Sequence, residues 1–312
     1  MADLFLLNIL LKKQSRSWDI SMEKTKFDID NENQWCPGCG NFSILKSMKN
    51  AFITLDLEPR DLLLVSGIGQ AGKLPNYLAC NMLHGLHGRA LALATGAKIA
   101  NHNINIIVNS GDGDCYGEGG NHFLAAIRRN IDITLLVHNN QIYGLTKGQA
   151  SPTSALGMKT KNQNHGTISN AFNPIATALA LGAGFIGQGF SGNMQQLTHL
   201  IVEAINYPGF SMIDIYQPCV SFNKINTHAW YKSRVFDLKD SGHDYSDFKK
   251  ALQLVHNKNH QIPTGIIYKS PGIPFHERLD VLKNQPLVEY SFNAAQLEKT
   301  LGIAQFDKGD NQ

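Results

Sequence analysis

Two short turns hold the residues best suited to chemistry. Gly111-Asp112-Gly113 closes one apolar run and Asn139-Asn140 closes the next, with 26 residues between Gly113 and Asn140. A strand-helix-strand unit occupies an interval of about thirty residues, and its right-handed crossover brings both strand ends to the same edge of a sheet. The two loops therefore lie side by side, and the Asp112 carboxylate can share an ion with the Asn140 amide oxygen. Mg²⁺ suits that pair, because it takes hard oxygens in octahedral geometry and commonly fills its remaining positions with phosphate oxygens and water. The carbonyl of Ile142 offers a further oxygen. Gly111 and Gly113 let the backbone approach a phosphate, and a helix expected from about Gly119 presents free N–H groups to it. Gly-Asp-Gly alone is an ordinary turn sequence. The asparagine pair gives it a partner.

A second centre is suggested by Cys36-Pro37-Gly38-Cys39, where Pro and Gly favour a tight turn that aims two thiols at one metal. A dithiol redox pair is a rival reading, but such pairs follow a strand, and polar residues 28–34 precede this one. Zinc would require a second nearby pair, and none is present. A third motif, Gly67-Ile68-Gly69-Gln70-Ala71-Gly72-Lys73, fits two nucleotide-binding patterns and fails both. No Asp or Glu occurs between Leu62 and Gly111 to bind a ribose, and Leu74 stands where a phosphate-binding loop needs Ser or Thr.

These residues lie within longer stretches that resemble one family. The SGDGDCYGEGGNHFLAAIRRNIDITLLVHNNQIYGLTKGQASPTS segment, WCPGCGNFSIL, SGIGQAGK, LHGRALALATGAKIA and QPCVSFN are similar to the β subunits of 2-oxoacid:ferredoxin oxidoreductases, over about residues 33–223. The resemblance implies thiamine diphosphate held through Mg²⁺, with Asp112, Asn140 and Ile142 as metal ligands and Gly111, Gly113, Asp114, Gly144 and Leu145 completing the cofactor site. It implies oxidative decarboxylation of a 2-oxo acid such as pyruvate or 2-oxoglutarate, coenzyme A as acyl acceptor and ferredoxin as electron acceptor. An α subunit would supply the other half of the thiamine site, so the chain alone is expected to be inactive. Lys73, His87, Arg89 and Lys147 carry over as active-site candidates, with a plain structural ion pair as the alternative for Arg89. A 4Fe-4S cluster is implied at Cys36, Cys39 and Cys219. Its fourth ligand is where the sequence departs: Gln70 replaces the expected cysteine, Cys80 is the candidate substitute, and the alternatives are a cluster with an exchangeable non-cysteine fourth ligand or no cluster at all. Cys115 reads as a packed small side chain. The remaining alternatives are a non-oxidative thiamine-dependent decarboxylase and a cofactor-binding subunit without turnover.

The elements that must position these groups follow from hydrophobic periodicity. Phe42, Leu45, Met48, Phe52 and Leu55 recur at helical spacing, and apolar runs at 62–65, 104–108, 133–137, 185–187 and 210–216 read as strands. Helical faces precede or separate them at 123–127, 174–181 and 194–205. Alternation of this kind predicts an α/β fold, a parallel sheet with helices on both faces. The expected organisation is an ill-defined extension over 1–21, with Met22 as a possible start, a thiamine-diphosphate-binding domain over 22–230, and an arm or partner-binding extension over 231–312 with one helix at 246–256.

Bulk composition excludes other classes. At 312 residues, 43% hydrophobic and 17% charged, the chain has the make-up of a globular enzyme. A net charge of +3 without a dense basic run argues against a nucleic-acid partner. The apolar stretch 4–11 is far short of the ~20 residues that span a bilayer, so no membrane association is expected. Five cysteines at irregular spacing fit a reducing compartment, and the expected location is the cytoplasm.

Overall fold

A computed structural model describes residues 24–256 and 261–291; the expected extension over 1–21, the alternative start at Met22 and the end of the expected arm lie outside them. The core is one eight-stranded sheet. In chain order its strands are β1 (Leu62–Ser66), β2 (Asn81–His84), β3 (Asn105–Gly111), β4 (Thr134–Asn139), β7 (Phe185–Phe190), β8 (Ser211–Tyr216), β9 (Val235–Asp237) and β10 (Ile262–Lys269). The numbers β5 (Ile142–Tyr143) and β6 (Gln149–Ala150) belong to a small separate hairpin. The spatial order is β2-β1-β3-β4-β8-β7-β10-β9. From β2 to β7 every pairing is parallel, whereas β10 runs antiparallel to β7, with β9 parallel to β10. The stretch expected as an arm therefore extends the sheet through β9 and β10, and the sheet is mixed rather than wholly parallel.

Period-two alternation decides which face each side chain joins. Ile106, Val108, Leu135, Val137 and Met212 point to one face, where α2 (Ala90–Ala100), α3 (Gly120–Arg129), α4 (Pro174–Ala180) and α6 (Phe248–His256) pack. Ile107, Leu136, Ile213 and Ile215 point to the other, covered by α1 (Asn41–Thr54) and α5 (Met194–Ile205). On α1 the predicted residues Leu45, Met48 and Phe52 are buried, joined by Ile44 and Ala51. Burying a large apolar side chain such as Phe52 contributes about 1.5–3 kcal/mol. Asn173 and Asn193 cap α4 and α5 by accepting the Ala176 and Gln196 N–H groups.

The back edge, where the parallel strands begin, is closed by residues 270–278. Ser270 N–H donates to Gly184 O at 2.9 Å and Phe275 N–H to Asn130 O at 3.0 Å. Asn130 ends α3 in the left-handed conformation, with φ of 49°, and its Nδ2 donates to Ile273 O at 2.9 Å. Among the described residues no helix is long and apolar enough to cross a membrane.

Candidate active site

Asp112 follows β3 and is 2% exposed. Its Oδ2 accepts hydrogen bonds from Ser151 Oγ and Thr153 Oγ1, each at 2.6 Å. Thr153 Oγ1 also lies 3.0 Å from Asn139 Oδ1, and Asn139 Nδ2 donates to Asp214 Oδ2 at 2.9 Å. Tyr116 Oη donates to the other Asp214 oxygen at 2.8 Å. One polar chain thus runs from the Asp112 carboxylate through β4 to β8, and every member has a partner.

The Asn139-Asn140 loop ends β4 beside it. Asn140 Oδ1 accepts the Ile142 N–H at 3.0 Å, a local turn that fixes the amide while one lone pair of its oxygen remains for an ion. Between these two residues Gln141 takes φ of 58°, a conformation that L residues adopt only where the surroundings hold it. Here Ser154 Oγ donates to Gln141 O at 2.6 Å and Tyr231 Oη to Gln141 Oε1 at 3.2 Å. Gly113 is required: a Cβ there would overlap the Tyr143 ring.

Asp114 joins the loops after β1, β2 and β3. Its Oδ1 accepts the Gly88 N–H and its Oδ2 the Ser110 hydroxyl, both at 2.7 Å, and a Cβ on Gly67 would overlap its carboxylate. Pinned this way, the turn after β2 carries His87 and Arg89, both exposed. Arg89 Nη1 meets His122 Nε2 at 3.0 Å and forms no ion pair among the described residues. The helix expected from about Gly119 is α3, from Gly120, and a π-helical turn, Gly113–Glu118, lies between it and Asp112. π-Turns of this kind recur at functional sites.

Burial pushes the Asp112 carboxyl above its ordinary range, opposed by the hydroxyls of Ser151 and Thr153. Burial also raises Asp114, and it carries Asp214 to about 7. None of the three acids has a Lys, Arg or His partner among the described salt bridges. Three buried carboxyls without a cationic side chain are a setting in which a divalent cation favours the ionised form. Among the described residues no three His, Cys, Asp or Glu side chains close on one metal position. An ion here would rest on the Asp112 carboxylate, the Asn140 amide and a backbone oxygen, which leaves positions for phosphate and fits Mg²⁺. A separate cavity of about 760 Å³ opens beside Tyr143 and Ser151, walled by Gln163, His165 and Phe172; neither Asp112 nor Asn140 lines it.

Cys36, Cys39 and Cys219 lie at the same front edge of the sheet. Cys39 N–H donates to Cys36 O at 3.0 Å, and Gly38 takes φ of 79°, which makes the tight turn that the sequence predicts. Residues after β8 pack on this turn: Gln217 Nε2 lies 3.2 Å from Cys39 Sγ and Ser221 Oγ 3.1 Å from Cys36 Sγ, on either side of Cys219. Burial raises the Cys39 thiol, and Cys219 and Cys36 both lie close enough to add to the shift. Cys80 does not join the group. It immediately precedes β2, whose first residue, Asn81, pairs with Leu63 near the start of β1, so Cys80 lies at the back edge. Pro75 does turn the chain, in a short 3-10 segment, Leu74–Tyr77, but the crossover then runs back the length of β1. Burial pushes the Cys80 thiol up to about 11, as for a packed side chain.

The β5–β6 hairpin lies between the two centres. A Cβ on Gly144 would lie 3.9 Å from Gln70 Cγ and 4.0 Å from both Asn140 Nδ2 and Cys219 Sγ. Those last two atoms are thus no farther apart than twice that distance. Leu145 and Lys147 stand exposed at the hairpin tip, and Lys73, half-buried, follows the Gly67 loop. Sequence reasoning missed Ser151, Thr153, Tyr116 and Asp214, and named Asn139 only as the neighbour of Asn140. Asp214 carried a signal: it is the lone acid in the buried strand Ser211–Tyr216.

Residues 67–215 match the thiamine pyrophosphate enzyme C-terminal TPP-binding domain, and residues 219–284 match the C-terminal family of the pyruvate ferredoxin oxidoreductase beta subunits. The chain is similar to a 2-oxoacid:ferredoxin oxidoreductase subunit beta from Sulfolobus, with 39% identity over 280 residues, covering 86% of this chain and 92% of the relative. It is also similar to a 2-oxoglutarate oxidoreductase subunit from Mycobacterium tuberculosis, with 42% identity over 63% of this chain and 53% of that one. Among solved structures, a 2-oxoglutarate:ferredoxin oxidoreductase from Magnetococcus marinus, with 2-oxoglutarate, coenzyme A and succinyl-CoA bound, superposes with a TM-score of 0.79 at 32% identity, covering 93% of this chain and 95% of that one.

Proposed function

The chain belongs to the β subunits of the 2-oxoacid:ferredoxin oxidoreductases, and from that premise we propose that Asp112, Asn140 and the Ile142 carbonyl hold the Mg²⁺ that anchors thiamine diphosphate for oxidative decarboxylation of a 2-oxo acid. The observation that carries this reading is the Asp112 carboxylate: buried, held at Oδ2 by two hydroxyls, beside an asparagine amide and without a cationic side chain. When bound, thiamine diphosphate supplies the carbanion chemistry that releases CO₂, and the protein supplies binding and orientation.

The chain's residues divide that work. Ser151 and Thr153 fix the rotation of the Asp112 carboxylate, and Asp214 with Tyr116 fixes Asn139 behind them. Gly111 and Gly113 leave room for the diphosphate, while Asp114 holds the flanking loops in place. Lys73, His87, Arg89 and Lys147 supply cationic or hydrogen-bonding groups for an anionic 2-oxo acid and the phosphates of coenzyme A. Cys36, Cys39 and Cys219 hold an iron-sulfur cluster that passes electrons towards ferredoxin. An α partner completes the site, so turnover belongs to the complex. The names of the Mycobacterium and Magnetococcus proteins favour 2-oxoglutarate as the first substrate to try, with pyruvate the runner-up.

The test is calorimetry of thiamine diphosphate with Mg²⁺ on the complex with its α partner, combined with acceptor reduction over a panel of 2-oxo acids. Mg²⁺-dependent cofactor binding and coenzyme-A-dependent acceptor reduction are expected from the complex and no turnover from the chain alone. Unchanged cofactor affinity in Asp112→Ala, or full activity of the single chain, would overturn the reading.

A further inference from the structure

The cysteine centre departs from an all-thiolate site at one corner, and the structure shows what stands there. Gln70 lies in the loop after β1, and Trp35 Nε1 donates to its backbone carbonyl at 2.8 Å. Trp35 is 5% exposed, packs edge-on against Phe42 and Tyr77, and immediately precedes Cys36. The loop bearing Gln70 is thereby tied to the start of the cysteine turn. On its other side the Gln70 side chain shares the space above Gly144 with Cys219 Sγ. Its Oε1 is buried and meets no donor among the described residues. A carbonyl oxygen shut away from water and from every donor is a costly arrangement unless something electropositive meets it.

We propose that Gln70 makes this a three-thiolate, one-amide site, so that a four-iron cluster bound at Cys36, Cys39 and Cys219 carries one iron that is lost and exchanged far more readily than the other three. The inference rests on the cluster assignment under Proposed function. Thiolate is the soft, strongly binding ligand of cluster iron, whereas an amide oxygen is hard, neutral and weak. The iron facing Gln70 is therefore held chiefly by the cluster's own sulfides. Replacing one thiolate by a neutral oxygen also makes the assembly one charge less negative, which favours reduction and raises its potential above that of a four-thiolate counterpart.

The labile step balances with ferricyanide as the oxidant. A 2+ four-iron core gives one electron to ferricyanide, the bonds from the unique iron to Gln70 Oε1 and to its three sulfides break, and Fe²⁺ leaves. A 1+ three-iron, four-sulfide core remains on the three cysteines.

The experiment uses the α/β complex purified anaerobically, with iron, sulfide and thiamine diphosphate measured on the same sample. Wild type is expected to lose one iron in four on stoichiometric ferricyanide and to show the paramagnetic resonance signal of a three-iron core. Added ⁵⁷Fe²⁺ should re-enter a single site by Mössbauer spectroscopy. Gln70→Cys is expected to keep all four irons under the same treatment and to show a lower midpoint potential. Equal iron loss in wild type and Gln70→Cys overturns the proposal, as does wild-type iron that neither leaves nor exchanges. A wild type with full thiamine diphosphate but no iron overturns it together with the cluster assignment, leaving the thiamine site standing. Absence of both cofactors instead indicts the functional reading as a whole. Should Gln70→Cys fail to fold, the ⁵⁷Fe exchange in wild type decides alone.

Discussion

The two centres share one edge of the sheet and are built on opposite principles. Around Asp112 the side chains are linked to one another before any ligand arrives: two hydroxyls on one carboxylate oxygen, an asparagine behind them, and Asp214 and Tyr116 behind that. Around Cys36, Cys39 and Cys219 the contacts are single hydrogen bonds to sulfur at 3.1–3.2 Å, one thiol is exposed, and the neighbouring Gln70 oxygen is unpaired. The first centre is preorganised by strands, and the second is assembled from three separate segments joined by a few single hydrogen bonds. Removing one member of the first should therefore damage affinity in a graded way, whereas removing one member of the second should cost the whole group.

The largest effect expected is at Asp112. Asp112→Ala should weaken Mg²⁺-dependent thiamine diphosphate binding by on the order of 100-fold or more, read by calorimetry on the complex. Next comes Cys219→Ser, which should abolish stable iron incorporation in an anaerobic preparation while thiamine diphosphate content stays near wild type. Loss of both cofactors together would erase the distinction between the centres. Thr153→Val tests the graded response. It keeps the side-chain shape but frees one Asp112 hydrogen bond, and about a 10-fold loss of cofactor affinity is expected. An affinity equal to that of wild type would mean that Ser151 alone positions the carboxylate.

A smaller effect appears in pH dependence. Burial raises Asp214 from 3.8 to about 7 in the folded chain. A carboxyl raised on folding binds its proton more tightly in the native state, so its contribution to stability is complete below about pH 4 and is lost as pH rises towards 7. Asp214→Asn removes that loss. The melting temperature of the variant relative to wild type should climb between pH 4 and 7 and level off above, whereas a constant offset would show that Asp214 does not titrate there. The smallest expected effect is none: Cys80→Ser should leave iron content and spectra unchanged, because Cys80 lies at the far edge of the sheet from the other thiols.

The contrast also explains what the sequence could reveal. Runs such as Ile133 to Val137 alternate between two covered faces and were legible as central strands, and the helical spacing around Met48 was equally plain. Three strands were not. β2 is a four-residue edge strand whose residues are all exposed, and β9 has only three residues. β10 contains Pro263 and Gly265, which read as breakers; Pro263 is tolerated because that end of β10 pairs only with β9. Asp112 and Asn140 follow the ends of adjacent parallel strands, so their spacing was enough to place the two loops side by side. Ser151 and Thr153 reach Asp112 across about forty residues of chain through an irregular loop, and no local period encodes that contact. Gln70 was legible as a departure with a non-cysteine ligand as one option, but the burial of its side-chain oxygen away from any donor among the described residues was not.

The closure of the back edge by residues 270–278 matters for anyone wishing to wire this protein to a surface. Ser270, Ile273 and Phe275 tie down the strand beginnings on the side away from both centres. An attachment chemistry directed to that strap would hold the molecule with the edge that carries Asp112 and the Cys36–Cys39 turn facing outward. An attachment at the hairpin carrying Leu145 and Lys147 would bury that edge against the support.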